Sequence, residues 1–400
     1  MLVIAAPGQG AQTPGFLAPW LELPGVAERL AAWSDHVGCD LIRFGTVGTA
    51  DQIRDTAVAQ PLLVAAALAA AGALGIGRSD DDGQHGAIAA GHSVGELAAG
   101  AIAGVVAPED ALRLVGVRGR AMAEAAAADA TSMTAVLGGD EAAVLRSIEA
   151  HGLTPANVNG TGQIVAAGTV EQLALFAADP PAGARLRSLE VAGAFHTAHM
   201  APATDALRAA AATVPVRNPV LPVLSNLDGA VVRTGADWLE RICAQVSAPV
   251  RWDSCMATME SLGATAFLEL PPAGTLVGLA RRALPGVQTL AVSTPADLDA
   301  ARALLAEHDV HPDSHAPEWR LLVAPLAGTF RSEAPERPGV SVGRGAELGR
   351  VEVRGGSHQL TAGFPATIIE WLVEDGDPVS PGQPLVRLEP AGHAGTEEGH

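Results

Sequence analysis

The pentapeptide Gly91-His92-Ser93-Val94-Gly95 constrains this chain more than any other feature. It fits Gly-x-Ser-x-Gly, in which a strand turns sharply into a helix and presents the serine hydroxyl at the turn. Those mechanics need a strand before, a helix after, and small residues where the backbone is tight. Gly86-Ala87-Ile88-Ala89-Ala90 reads as the strand and Glu96-Leu97-Ala98-Ala99 as the start of the helix. Ser93 then lies near a helix N-terminus, where the dipole and free N–H groups favour developing negative charge.

A serine hydroxyl becomes a nucleophile only beside a base. His92 is adjacent in sequence, but its side chain should point away from Ser93. Phe195-His196-Thr197-Ala198-His199 follows the last predicted strand of an inserted unit, where the chain re-enters its main domain and a cleft is expected. The sequence alone does not choose between His196 and His199. An oxyanion hole needs two N–H donors. Val94, after the serine, supplies one, and the Gly-rich loop Pro7-Gly8-Gln9-Gly10-Ala11-Gln12 after the first strand is the usual kind of source for the second.

The order of elements predicts an α/β fold. Apolar residues 2–6 form a first strand, helical pattern covers 26–37 and 59–74, and the elbow is followed by a helix over 109–127. From 131 the rhythm changes to a compact β-α-β-β-α-β unit, with strands at 132–137, 163–167 and 184–192 and helices at 140–150 and 169–178. The first pattern then resumes: helix 200–213, strand 220–225, helices 236–246 and 252–262, strand 265–270, helix 274–284, strand 290–292 and helix 295–307. This gives a larger unit over 1–128 and 197–306, an insertion at 129–196, a polar linker at 307–319, a small all-β unit at 320–389 and a disordered tail at 390–400.

The chain has 400 residues and a net charge of −19, so a nucleic-acid partner is not expected. All 25 cations are Arg; the chain contains no Lys. That excludes a Schiff base, a catalytic Lys and any Lys-borne prosthetic group. Cys39, Cys243 and Cys255 form no Cys-x-x-Cys pair and read as idle thiols of a reducing compartment. His308, His311 and His315 in the linker have no fixed geometry, so no metal site is expected. The Ala-rich run 62–74 is too short for a membrane span, and the N-terminus lacks the basic region of a signal peptide. A cytoplasmic protein without a membrane partner is expected.

Six motifs in order resemble a known family: Pro7–Gln12, Ala59-Gln60-Pro61, Gly91–Glu96, Val117-Arg118-Gly119, Asn157-Val158-Asn159 and Ala194-Phe195-His196. Over about residues 1–306 the chain resembles malonyl-CoA:acyl-carrier-protein transacylases and the related acyltransferase domains of polyketide synthases. The resemblance implies a parallel-sheet α/β-hydrolase-like core with an inserted ferredoxin-like subdomain, and no separate cofactor. It implies Ser93 as nucleophile and His196, rather than His199, as general base and then acid. Gln9 and Val94 would supply the oxyanion N–H groups, and Arg118 would pair with the free carboxylate of a malonyl group. A backbone carbonyl in Pro249-Val250-Arg251-Trp252 would orient the histidine, with Arg251 departing from the Gln of some relatives. Phe195 just before the His goes with malonyl over methylmalonyl. Malonyl-CoA and an acyl carrier protein would be the partners, with Arg281-Arg282 as a basic docking pair on an otherwise acidic chain, itself a monomer or weak oligomer.

Residues 320–389 resemble a biotinyl/lipoyl-type domain, from Val323–Thr329 and the segments Val373–Val379 and Pro381–Leu385. Where such a domain carries its attachment Lys, this chain reads Arg354-Gly355-Gly356-Ser357-His358, so it cannot carry biotin or lipoate by amide linkage. Two other readings remain open: a thioesterase using the same Ser-His pair, and a scaffold with a vestigial catalytic half. Arg118 speaks against the first and the intact Ser93, His196 and Arg118 against the second.

Overall fold

A computed structural model describes residues 1–77, 86–308, 319–333 and 339–390. Strand Leu2–Ala6 lies at the centre of a six-stranded sheet, parallel to Ala266–Glu269 on one side and to Ala87–Gly91 on the other. Gln288–Ala291 and Val223–Leu224 extend the sheet in parallel at its two sides, and Val231–Val232 closes one edge antiparallel. Both central strands are buried along their whole length, as a sheet covered on both faces requires. The register pairs Ala6 with Gly91, so the loops that follow the two strands leave the sheet side by side.

That side-by-side exit depends on glycine. A Cβ on Gly95 would sit 2.2 Å from the Ala6 carbonyl oxygen, and one on Gly91 would sit 2.1 Å from the Gly95 carbonyl carbon. The backbone can turn this tightly only because those atoms are missing. Helix Gly95–Ile102 follows at once and is buried throughout.

Helix Thr56–Leu74 packs beneath this turn. It is longer than the predicted run because the Asp55 side chain caps it three residues earlier, accepting from the Ala57 N–H. By length and composition it alone among the described residues could cross a membrane, and 78% of its apolar window is buried inside the protein. Two short helices, Leu41–Val47 and Ala50–Arg54, lie where no element is predicted from sequence. Predicted strand 220–225 shrinks to Val223–Leu224, because Pro222 has no N–H to give a ladder. Predicted strand 184–192 stops at Ser188, and its last residues become a loop beside the site.

Strands Ala184–Ser188, Thr131–Gly138, Gln163–Thr169 and Thr154–Val158 form an antiparallel sheet in that spatial order, with helices Glu141–Ala150 and Val170–Ala178 in the connections. Val250–Arg251, from the other end of the chain, adds a fifth, parallel strand beside Thr154–Val158.

Among the described residues from Arg320 onward, eight strands form two four-stranded sheets. Strand Arg320–Val323 is a shared wall. Side chains alternate across a strand; Leu321 and Val323 join the core around the central sheet, while Leu322 and Ala324 join the core of the β unit. The Arg320 guanidinium lies 4.6 Å from the Phe364 ring centre. Burial pushes the nearby Glu22 carboxyl up to about 7, against the pull of Arg320. The linker histidines His311 and His315 and the tail from 391 lie outside the described residues.

Gly95→Ala tests the tight exit. The added methyl should cost about 1–3 kcal/mol and lower Tm by several degrees in a thermal melt; an unchanged Tm would contradict the packing described.

Candidate active site

The elbow holds Ser93 at φ 54°, a left-handed conformation that non-glycine residues avoid unless their surroundings impose it. Asn226 supplies the imposition. Its side-chain oxygen accepts from the Ser93 N–H at 2.7 Å, and its amide group donates to the Gly91 carbonyl at 2.7 Å. Ser93 Oγ stands 2.7 Å from His196 Nε2. His196 is also left-handed, at φ 61°.

The Gln245 carbonyl accepts from His196 Nδ1 at 2.9 Å. A proton is therefore held on Nδ1, leaving the Nε2 lone pair to face the serine hydroxyl. This corrects the expectation that the orienting carbonyl lies in 249–252. Helix Gly235–Gln245 ends at Gln245, and the last carbonyls of a helix lack intrahelical partners. The His takes one of them. Arg251 turns outward and pairs with Asp253 at 2.6 Å.

Burial pulls the His196 pKa down to about 3, helped by the positive charge of Arg118 and opposed by the Gln245 carbonyl. The ring is neutral at pH 7 and free to accept a proton. His199 points elsewhere, with its Nδ1 3.5 Å from Asp129. His92 donates through Nε2 to Asn159 Oδ1 at 2.9 Å and stacks edge-on against Trp252, away from the serine hydroxyl.

Arg118 is 1% exposed on helix Pro108–Ala128. It donates to Gln60 Oε1 at 2.6 Å, to Gln245 Oε1 at 2.9 Å and to Ser93 Oγ at 3.3 Å. Burial lowers its pKa to about 10, with Glu96 pulling back, so it remains a cation. Its neighbour Arg120 is exposed and donates to the Val37 carbonyl.

Ser93 and His196 open into a cavity of about 290 Å³, with Gln60, the partner of Arg118, on its wall. Gln9, Val94 and Phe195 line it together with Ser93 and His196, and Met122, Met133, Leu189 and Val191 make its apolar wall. The Gln9 side chain donates to the Arg54 carbonyl at 3.1 Å. Arg281 and Arg282 are exposed at the end of helix Thr275–Ala283, whose first turn lines the same cavity. Arg282 reaches Gln163 of the inserted unit at 3.4 Å, while Arg281 donates to Thr289.

A family described as "Acyl transferase domain" matches residues 6–303. The chain belongs to the acyl transferase family. It is 52% identical over 299 residues to the malonyl CoA-acyl carrier protein transacylase of Mycobacterium tuberculosis, covering 75% of this chain and 98% of that one. The crystal structure of MCAT from the same organism superposes with a TM-score of 0.72 at 51% identity, over 75% of this chain and 99% of that one. A malonyl-transacylase solved in complex with a type II PKS acyl-carrier protein matches at 30% identity and a TM-score of 0.68, over 76% of this chain and 99% of that one. The family match ends before Arg320, so the C-terminal β unit lies outside it.

Four residues that touch the site received no role from sequence: Gln60, Glu96, Asn226 and Gln245. Gln60 stood inside a recognised motif and interrupts an otherwise apolar helix, which was the available signal. Asn226 directly follows predicted strand 220–225 and Gln245 lies in predicted helix 236–246, but neither position carries a motif.

The pH dependence of acylation checks the His196 environment. Because its pKa is lowered, His196 should stay neutral well below pH 6.5, and single-turnover acylation of Ser93 should show no inflection between pH 7 and 5. An acid limb with an apparent pKa near 6.5 would contradict the burial described.

Proposed function

We propose that this chain is an [acyl-carrier-protein] S-malonyltransferase. It moves a malonyl group from malonyl-CoA through an ester on Ser93 to the phosphopantetheine thiol of an acyl carrier protein, in fatty acid or polyketide synthesis. The observation that carries this reading is Arg118. Its guanidinium is buried beside the nucleophile, and the acceptors that hold it are amide and hydroxyl oxygens without charge. A buried cation with no carboxylate in contact among the described residues favours an acyl group that brings one. An acetyl group would leave it unpaired, which a closed pocket penalises.

His196 Nε2 takes the Ser93 proton as Oγ attacks the thioester carbonyl. The carbonyl oxygen becomes an oxyanion, placed to accept from the backbone N–H groups of Gln9 and Val94. The intermediate collapses, the C–S bond breaks, and the proton on Nε2 goes to the departing CoA sulfur. In the second half the carrier thiol gives its proton to Nε2, attacks the malonyl-serine ester, and Ser93 recovers the proton. Phe195 packs where the α-carbon of the acyl group would lie, favouring malonyl over branched groups. Arg281 and Arg282 supply a basic spot beside the cavity mouth for an acidic carrier protein.

The antiparallel β-α-β-β-α-β insertion supports a ferredoxin-like small subdomain over 129–196. The two four-stranded sheets over 320–389 support a biotinyl/lipoyl-like unit. With no Lys to carry a prosthetic arm, and with Leu321 and Val323 buried in the neighbouring core, that unit serves as a fixed wall and not as a travelling carrier.

Mass spectrometry after a brief malonyl-CoA pulse tests the proposal. A malonyl adduct is expected on Ser93, absent in Ser93→Ala, and holo-carrier protein should discharge it to malonyl-carrier protein. Free malonate released at the same rate with and without carrier would make the chain a hydrolase instead.

A further inference from the structure

We infer that Glu96 and Gln245 are positioning residues that aim the Arg118 guanidinium at a dicarboxylic acyl group and tie it to the His196 base. The inference rests on the proposed malonyl chemistry for the acyl group it names.

Gln245 is 1% exposed and makes contact on every side. Its Oε1 accepts from Arg118 at 2.9 Å. Its Nε2 faces three oxygens: the Ser93 carbonyl at 3.0 Å, Asn226 Oδ1 at 3.4 Å, and a closer carboxylate oxygen of Glu96. The amide therefore has one workable orientation. Turned over, it would set a donor against a guanidinium and an oxygen against three oxygens. The backbone carbonyl of the same residue holds His196. One residue thus fixes both the cation and the base.

Glu96 is 2% exposed in the first turn of helix Gly95–Ile102. One carboxylate oxygen accepts from Gln245 and the other from the Asn226 N–H at 2.8 Å. Asn226 in turn pins the Ser93 elbow. A carboxylate accepts at both oxygens, whereas an amide at this position would present a donor to one of two donors. Burial pushes the Glu96 carboxyl up to about 8, against hydrogen bonds from Asn226 and Gln245 and the pull of Arg118; its ionised form, one amide away from Arg118, favours the cation. Direct contact would occupy the guanidinium and leave less of it for a substrate. Separation by the Gln245 amide keeps Arg118 charged while its reach toward Ser93 Oγ stays open.

The test compares malonyl-CoA with acetyl-CoA as acyl donors, read as the rate of Ser93 ester formation. Glu96→Gln should lower the malonyl-to-acetyl ratio at least 10-fold in a folded protein, and less than twofold in an Arg118→Ala background, since Glu96 acts through Arg118. The exchanged pair Glu96→Gln with Gln245→Glu retains most of the hydrogen bonds but sets a carboxylate directly on Arg118. It should fold and still lack malonyl preference. Glu96→Gln slowing both donors equally, or the exchanged pair regaining wild-type preference, would overturn the inference and reduce the cluster to a structural one. No malonyl ester on wild-type Ser93 would instead overturn the proposed activity and is read separately from these ratios.

Discussion

The site depends on one buried cation held without a counter-charge in contact. Arg118 sits among Gln60, Gln245 and Ser93 oxygens at 1% exposure. Burying a charge is costly unless hydrogen bonds and a nearby opposite charge offset it. Glu96 lies close enough to favour the cation but touches it only through an amide. Burial, with the same cation, holds His196 neutral, so that its Nε2 is free to accept a proton. In the proposed mechanism, acyl recognition and proton transfer therefore draw on one electrostatic source.

The fold's contribution is to bring four distant segments to this point. The aligned ends of Leu2–Ala6 and Ala87–Gly91 set the loop carrying Gln9 beside the elbow carrying Ser93. Helix Pro108–Ala128 brings Arg118 and the end of helix Gly235–Gln245 brings the carbonyl for His196. The cavity is closed on its far side by the inserted sheet, through Met133, Asn157 and Val165. That sheet is itself joined to the rest of the chain by strand Val250–Arg251.

The elbow was legible because its mechanics are local: small residues, a strand before and a helix after. Distances then brought Ser93, His196 and Arg118 together, although they stand up to 103 positions apart. What could not be read was the polar scaffold around them. Asn226 and Gln245 act through long-range hydrogen bonds, and nothing in their neighbours' periodicity marks them. The orienting carbonyl was expected in 249–252 and lies at Gln245, because the end of a helix decides which carbonyl is free. Strand ends also differ from the sequence reading, at Ser188 and at Val223, the latter because Pro222 has no N–H for the ladder.

The C-terminal unit adds a different kind of constraint. Its first strand gives one face to each of two cores, so the 320–389 region is held against the catalytic part of the chain. The central claim remains the one about Arg118, and the most direct measurement is kcat/KM for malonyl-CoA and acetyl-CoA in wild type and Arg118→Ala. Loss of a charge-assisted pair in a buried site should lower the malonyl value roughly 100-fold or more while leaving acetyl transfer equal or faster. An equal fall for both donors would contradict the account.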